Sequence, residues 1–280
     1  MKESNRKTTS SNQMPPFRLS KKGSVMYFES TVLKRYRFLT HAFCSRHREI
    51  IQGHFSPFSF SSREDKNILS QNWEILTRAF RIPAGQFLTV NQIHRDAILV
   101  IDGPDYKLPP HPPDSYDAII TNQPGIAIGV KTADCVPIFL LDKAKRIIGV
   151  VHAGWRGTAL KIIEKTVETF TERFGSQLAD IHAVIGPAIR SCCYEVNDNV
   201  IKSIETEKKE SPFYRPCPEE GKWMLDLPLA NKSQLLAKGI HAGNISMLDL
   251  CTFCRTDIFF SHRAERGSAG RQLNFMMLKK

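Results

Sequence analysis

The alternation of apolar and polar segments between residues 126 and 152 predicts an antiparallel hairpin. Residues 126–130 are apolar, residues 132–135 read T-A-D-C, and residues 136–141 are again apolar. A polar D-K-A-K turn follows, and then the run R-I-I-G-V-V-H, which ends at His152. Apolar, β-branched runs around a short polar turn are typical of paired strands. A loop with an even number of residues places Leu141 opposite Arg146, and this register places Cys135 opposite His152.

The predicted pairing of Cys135 and His152 has chemical consequences. Directly opposed residues share one face of a sheet, with Cβ atoms about 4.5 to 5.5 Å apart. That distance suits two ligands of one metal ion, or a nucleophile and its base. A small buried cysteine and a half-exposed histidine would explain the same residues without any chemistry. Both interpretations stay open from the hairpin alone.

The pattern after His152 predicts a long amphipathic helix that begins at Thr158 and stops at Gly175. Its apolar residues are spaced three and four apart: Leu160, Ile163, Val167, Phe170 and Phe174. The intervening A-G-W-R-G segment carries Arg156 between glycines. An arginine next to free N–H groups at a helix start predicts an anion site.

The remaining pattern predicts strands and helices that intermingle along the chain. We expect strands within residues 27–44, 87–101, 181–185, 245–250 and 258–260, with N-Q-I-H at 91–94 interrupting the second. Helices are expected over residues 65–80, from Glu195 onwards, and from Asp226 to Gly239, with loops at 108–113 and 208–222. This order predicts an α/β (α+β) fold: one domain over residues 25–280, with a mixed β-sheet and flanking helices.

Composition predicts the state of the N-terminal segment and restricts the classes of binding partner. Residues 1–24 are polar and basic, and this composition predicts a disordered N-terminal tail. The net charge of +11 suggests anionic partners. The charge is spread out and no stacked-aromatic motif accompanies it, so we expect no nucleic acid as partner. No apolar stretch approaches the roughly 20 residues that span a bilayer. We therefore expect the protein not to bind a membrane. The seven cysteines predict a reducing compartment, and we expect a cytoplasmic location.

Several other residues have ordinary explanations. Cys251 and Cys254 have the spacing of half a zinc ribbon, but no second close pair follows them. We therefore expect them to be ordinary structural residues rather than metal ligands. Cys192 and Cys193 are adjacent, which suits burial better than chelation of one ion. Taken alone, His94 is best explained as a core histidine.

Six ordered motifs resemble one family. They are N-Q-I-H (91–94), T-A-D-C-V-P (132–137), V-H-A-G-W-R-G (151–157), I-G-P with C-C-Y-E-V (185–196), G-K-W-x-L-D-L (221–227), and F-F-S-H-R with G-R-Q-x-N (259–274). Together they resemble the family formerly labelled multicopper polyphenol oxidase or laccase-domain proteins. Its members are now described as purine nucleoside phosphorylases that also deaminate adenosine. The resemblance covers residues 25–278.

The resemblance implies a laccase-domain, cysteine-hydrolase-like fold with a catalytic Zn²⁺ held by His94, Cys135 and His152. It implies phosphorolysis of adenosine, inosine, guanosine and methylthioadenosine by inorganic phosphate, and deamination of adenosine to inosine. Arg156 and the helix start are candidates for binding phosphate, and arginines at three further family positions join them: Arg46, Arg263 and Arg271. A homodimer is compatible with the resemblance. One departure is Arg48-Glu49, which stands where the family usually has Gly-Gly.

Three other functions compete with this one. A copper phenol oxidase would need histidines in H-x-H pairs, and none of the nine histidines forms one. A metal-free cysteine hydrolase would use Cys135 as nucleophile and His152 as base, with Asp134 nearby. A non-catalytic basic binding protein is favoured only by the charge.

Overall fold

The computed structural model describes residues 15–51, 53–103, 106–109, 111–204 and 212–280. The strands are β1 (Phe17–Lys22), β2 (Val25–Ser30), β3 (Leu39–Ile51), β4 (His54–Pro57), β5 (Phe87–Thr89), β6 (Ile98–Ile101), β7 (Ala118–Thr121), β8 (Ala127–Thr132), β9 (Val136–Asp142), β10 (Ile147–Ala153), β11 (Ile181–Ile185), β12 (Glu195–Asn197), β13 (Tyr214–Pro216), β14 (Lys222–Leu225), β15 (Ile245–Met247) and β16 (Gln272–Leu278). The helices are α1 (Lys66–Phe80), α2 (Trp155–Ala159), α3 (Ile162–Phe174), α4 (Asp198–Ile204) and α5 (Leu227–Ala237). No helix among these described residues is long and apolar enough to cross a bilayer.

Two large mixed sheets form the centre of the molecule. One has the strand order β1-β2-β3-β16-β8-β5, with β4 added beside β3, and the other has the order β15-β11-β9-β10-β7-β6. Each contains parallel pairs, such as β5 with β8 and β6 with β7, among antiparallel ones. A small third sheet has the order β12-β14-β13. The predicted α/β fold with mixed pairing and flanking helices is confirmed, although two large sheets take the place of one.

The two large sheets pack face to face. Phe43 of β3 stacks on Phe139 of β9, with ring centroids 4.1 Å apart and planes 11° from parallel. On the outer sides, α1 covers the first sheet and α3 and α5 contribute to the core beside the second. Every residue of β9 and β10 is buried, because one face meets the other sheet and the opposite face meets helices. This burial explains why both strands are continuous apolar runs rather than alternating ones.

The N-terminal segment differs from the expectation. Residues 17–22 form β1, paired with β2 in a register that places Phe17 opposite Ser30. Phe17 is buried, and its ring lies 6.4 Å from that of Phe43. The prediction of a disordered tail over residues 1–24 is therefore wrong for this stretch. A strand at a sheet edge is held by backbone hydrogen bonds and one apolar anchor, so its polar composition was misleading. Residues 1–14 lie outside the described part of the chain.

The central hairpin has an even loop, but its register differs by two residues from the prediction. Asp142 pairs with Ile147, so the loop is residues 143–146 and His152 lies opposite Pro137. The Asp142 carboxylate accepts hydrogen bonds of 2.9 Å from the N–H groups of residues 144 and 145, which extends the strand to Asp142. Cys135 precedes β9 and lies diagonal to His152 rather than directly opposite. An even shift leaves side chains on the same face.

Other predicted elements are confirmed or corrected in detail. Helix α1 begins after Asp65, whose carboxylate accepts hydrogen bonds from two N–H groups of its first turn. The helix expected from Thr158 is instead two helices, α2 and α3, separated at Lys161, which has φ 62°. The stretch from Glu195 begins as β12 before α4. No strand forms at residues 258–260, and β13 lies within the expected polar loop.

Candidate active site

His94, Cys135 and His152 converge at one place. The ligand atoms of the three side chains lie within 4.8 Å of one another. Cys135 immediately precedes β9 and His152 lies near the end of β10, whereas His94 comes from the segment between β5 and β6. His152 is buried, Cys135 is half-buried and His94 is exposed. The group therefore lies at the boundary between the core and solvent, where a ligand can reach it.

A residue that the sequence reasoning missed holds two of these side chains in place. Asp117, immediately before β7, is fully buried. Its carboxylate accepts hydrogen bonds from three consecutive backbone N–H groups, those of Ile93 (3.2 Å), His94 (3.0 Å) and Arg95 (2.8 Å). It also lies 2.7 Å from Nδ1 of His152. One carboxylate thus fixes the turn that carries His94 and orients the ring of His152.

The electrostatics of the group favour a thiolate. Burial raises the pKa of the Cys135 thiol, but the charge and hydrogen bonds of His152 and His94 outweigh burial and lower it to about 6. Burial lowers the pKa of His152, but the Cys135 thiolate and the hydrogen bond to Asp117 raise it to about 9. Burial raises the pKa of Asp117, but the hydrogen bonds from His152 and Arg95 outweigh burial and lower this pKa below its usual value. The low-pKa thiol supplies the form of cysteine that binds metals and attacks electrophiles.

The donor set fits a metal ion. Because Nδ1 of His152 faces Asp117, Nε2 is the nitrogen available for coordination, as in carboxylate–histidine–zinc groups. The backbone leaves room around the ligands: a Cβ at Gly154 would lie 3.1 Å from Sγ of Cys135 and 3.1 Å from Cδ2 of His94. One thiolate and two imidazoles are ligands of tetrahedral zinc, and three protein ligands leave the fourth position open. The same donors are also found in copper sites.

The three side chains line a cavity of about 570 Å³. This volume is in the range of small-molecule sites. The cavity wall also carries a concentration of positive charge from five side chains: Arg63, Lys131, Arg156, Arg263 and Arg271. Asp134 is the one carboxylate among the described lining residues. The electrostatic balance of the wall therefore favours an anionic ligand.

Of the four arginines proposed for phosphate, the structure places Arg156, Arg263 and Arg271 in this wall and Arg46 elsewhere. Arg46 donates a hydrogen bond of 2.8 Å to the carbonyl oxygen of Thr256 and forms an ion pair with Glu265 at 3.2 Å. Its guanidinium also lies over the ring of Phe260. These contacts give Arg46 a structural position beneath the loop that follows residue 255.

Lys131 was not anticipated, although a lysine within the buried strand A-I-G-V-K-T is a signal that could have been used. Burial and the positive charge of Arg271 lower the pKa of Lys131. Burial likewise lowers the pKa of Arg271. Among the described residues, neither side chain forms an ion pair, and Arg271 donates only to the carbonyl oxygens of Ala269 and Gly270. The cavity wall thus contains two partly buried cations that have no carboxylate partner among the described residues.

Asp134 has a different role from the one first considered. Its carboxylate accepts hydrogen bonds from the hydroxyl of Thr252 (2.6 Å) and the N–H of Arg263 (2.7 Å). It thereby fixes the segment that carries Arg263. The acidic residue that contacts His152 is Asp117. Arg48 and Glu49, which replace the family's Gly-Gly, lie in extended strand β3 and are absent from the described lining of the cavity.

A family model described as multi-copper polyphenol oxidoreductase laccase matches residues 40–279. The chain belongs to this family. The match covers every described residue that lines the cavity, from Arg63 and its neighbours to Arg271.

The chain is also similar to individual proteins that have names or solved structures. Purine nucleoside phosphorylase YlmD of Geobacillus stearothermophilus is 40% identical over 161 residues, which is 57% of this chain and 59% of that protein. The matched region thus spans less than two thirds of that relative. A crystal structure of YlmD from the same species superposes with a TM-score of 0.83, covering 95% of this chain and 99% of the other, at 29% identity.

Of two further relatives, one is again named a purine nucleoside phosphorylase and the other an adenosine deaminase. A protein named purine nucleoside phosphorylase from Bacteroides thetaiotaomicron is 29% identical over 272 residues, covering 94% of this chain and 99% of that protein. A protein named adenosine deaminase RL5, from an unknown prokaryotic organism, is 39% identical over 159 residues, covering 56% of this chain and 60% of that protein.

Proposed function

We propose that this laccase-like family member is a zinc-dependent purine nucleoside phosphorylase that also deaminates adenosine. The observation that carries the proposal is the His94, Cys135 and His152 group, which opens into a cavity whose wall is rich in cations. Relatives named purine nucleoside phosphorylase and adenosine deaminase support both activities. Adenosine, inosine, guanosine and methylthioadenosine are the proposed substrates.

The chain's own residues prepare the site for a metal. His94, Cys135 and His152 would hold the ion, and a zinc ion there would act as a Lewis acid that lowers the pKa of a water molecule or polarises the substrate. Asp117 keeps Nδ1 of His152 occupied, so the ring presents Nε2 to the cavity. Asp117 also holds the backbone before and after His94, so one carboxylate positions both imidazoles.

Phosphorolysis also needs a site for inorganic phosphate beside the metal site. Inorganic phosphate must attack C1′ of the ribose while negative charge builds on the departing base. Lys131 and Arg271 form the most buried cationic part of the wall, and Arg156 and Arg263 line the same cavity. Because neither Lys131 nor Arg271 has an ion-pair partner among the described residues, a phosphate dianion would neutralise both. We therefore assign phosphate to the Lys131 and Arg271 side, with Arg156 and Arg263 completing the clamp.

Phosphate dependence tests the assignment of two activities to one site. In phosphate-free buffer, adenosine should yield inosine and ammonia but no free base. When phosphate is supplied, adenine and ribose 1-phosphate should appear as well. Both reactions, deamination and phosphorolysis, should stop in a Cys135→Ala variant. Phosphorolysis that persists at the wild-type rate in that variant would contradict a shared site.

The older copper-oxidase function has less support from this structure. Multicopper oxidation needs several histidine-rich sites. Within the described residues, the one other close group of potential ligands consists of four cysteines. Elemental analysis of the wild type and of His94→Ala, both purified without added metal, should therefore show that the metal lost with His94 is zinc rather than copper. Copper in excess, together with oxidation of a phenol, would overturn the proposal.

A second candidate is a cysteine hydrolase, and one observation favours it. Cys135, His152 and Asp117 are arranged as nucleophile, base and orienting carboxylate. The two candidates differ in their response to chelation. A hydrolase of this type should keep its activity after zinc is removed and lose it when Cys135 is alkylated, whereas the proposed phosphorylase should lose activity with the metal.

A further inference from the structure

A second group of potential metal ligands lies outside the cavity lining. The Sγ atoms of Cys192, Cys193, Cys251 and Cys254 lie within 4.8 Å of one another. Sγ of Cys254 is 3.5 Å from that of Cys192 and 3.3 Å from that of Cys193. Cys251 is buried, Cys193 is half-buried and the other two are exposed. This arrangement contradicts the expectation that Cys192 and Cys193 serve only as buried residues.

The local backbone explains how adjacent cysteines can converge. The N–H groups of Cys193 and Tyr194 both donate to the carbonyl oxygen of Arg190, so the pair lies on a tight turn rather than on a strand. In a strand, successive side chains point to opposite faces, whereas a helical turn separates them by about 100°. The N–H of Arg255 donates to the carbonyl oxygen of Cys251, and this turn brings Cys251 and Cys254 to one side.

Backbone bonds bring the two turns together. An isolated bridge joins Ala188 to Cys251, and the N–H of Thr252 donates to the carbonyl oxygen of Ala188 at 3.1 Å. The missing second pair of the half-ribbon therefore comes from earlier in the chain, 58 residues before Cys251. Sequence spacing alone gives no indication of this convergence.

We propose that these four cysteines form a second zinc site, of the closed structural type. A zinc ion bound to four thiolates at about 2.3 Å in tetrahedral geometry places the sulfur atoms about 3.8 Å apart. The observed Sγ separations of 3.3 and 3.5 Å, and the 4.8 Å limit for the whole group, bracket that value. Four thiolates are the donor set of structural zinc, and they leave no position for substrate. Binding of the ion releases the thiol protons to solvent.

The site would brace one wall of the cavity. Tyr194 follows the Cys192–Cys193 pair and lines the cavity, with the guanidinium of Arg263 5.3 Å from its ring centre. Thr252 follows Cys251 and donates to the carboxylate of Asp134, which in turn holds the N–H of Arg263. A metal that ties the two turns together would fix both contacts of Arg263: its packing on Tyr194, and the hydrogen bond of its N–H to Asp134, which Thr252 holds.

Metal stoichiometry tests this site separately from the proposed catalytic one. Protein expressed with zinc and purified under reducing conditions without chelator should contain two zinc ions per chain. Cys254→Ser should contain one, and so should His94→Ala. Cys217→Ser is the matched control, because Cys217 is a half-buried cysteine outside both groups, and it should keep two. If the catalytic zinc is wrong but this site is right, the wild type and His94→Ala should each contain one.

Cobalt(II) provides a readout that does not depend on a variant at the new site. In His94→Ala protein from which all metal has first been removed, added Co²⁺ should produce the strong near-ultraviolet thiolate-to-cobalt absorption of a tetrahedral four-sulfur site. Removing that metal should lower the melting temperature by about 4 °C or more. Absence of the absorption, or a zinc count that Cys254→Ser leaves unchanged, would overturn the proposal. So would mass spectrometry that finds the four cysteines paired as disulfides in the protein purified under reducing conditions.

Discussion

Replacing Asp117 by asparagine should weaken metal binding at the candidate active site while leaving the fold in place. The carboxylate uses both oxygens: one contacts His152 Nδ1 and the N–H of His94, and the other accepts from Ile93 and Arg95. Asparagine supplies only one oxygen, so its amide nitrogen must face at least one N–H donor. Loss of such an outer partner costs about 10 to 100-fold in metal affinity, or about 1.4 to 2.7 kcal/mol.

The assay is competition for zinc against a chromophoric chelator, with melting temperatures measured in parallel. The matched control is Asp142→Asn, because Asp142 is also buried and lies at the other end of the same sheet. One oxygen of Asp142 accepts both turn N–H groups and the other has no hydrogen-bond partner among the described residues, so asparagine can keep both bonds. Equal zinc affinities for the Asp117 variant and the wild type would refute the argument, and so would an equal loss in the two variants.

Three further predictions follow from particular contacts. Phe17→Ala should destabilise the protein by about 3 kcal/mol and lower its melting temperature by about 6 to 12 °C, because the ring is buried between the sheets; an unchanged melting curve would show that β1 contributes nothing. Arg271→Ala should reduce phosphorolysis about 100-fold with little change in deamination, whereas Arg46→Ala should lower thermal stability and reduce both activities together; the reverse pattern would move phosphate to Arg46. Gly154→Ala should reduce turnover about tenfold through displacement of Cys135 without a matching loss of melting temperature, and wild-type turnover would show that the backbone there has room.

The sequence predicted the central hairpin well because its information is local. Two apolar runs around a polar turn identify the strands, and an even loop is enough to put Cys135 and His152 on one face. The register was wrong by two residues because Asp142 was assigned to the turn. Its carboxylate instead caps the loop from the strand end, a contact that hydropathy does not reveal. The error changed the pairing but not the face.

Features that depend on distant contacts could not be predicted. Asp117 reads as a polar residue before a strand, and its importance comes from partners in the preceding turn and from β10. Lys131 and Arg271 become neighbours only because β16 pairs with β8. The strand β16 itself was missed because its polar residues Gln272 and Asn274 break the apolar pattern. In the fold these residues are buried and hydrogen-bonded, Gln272 to Phe260 and Asn274 to Thr132.

The position of β16 has a consequence for how the protein is made. In the seven-stranded sheet it lies between β3 and β8, both of which come much earlier in the chain. About 220 residues separate the end of β3 from the start of β16, so at ribosomal speeds β3 waits roughly 10 to 45 s for its neighbour. The edge of β3 that will face β16 stays unpaired throughout that interval, and that of β8 stays unpaired from its own synthesis until β16 is made, so both edges are open to pairing with other chains. Newly synthesised protein should therefore depend on chaperones, and slower translation before residue 272 should increase its aggregation.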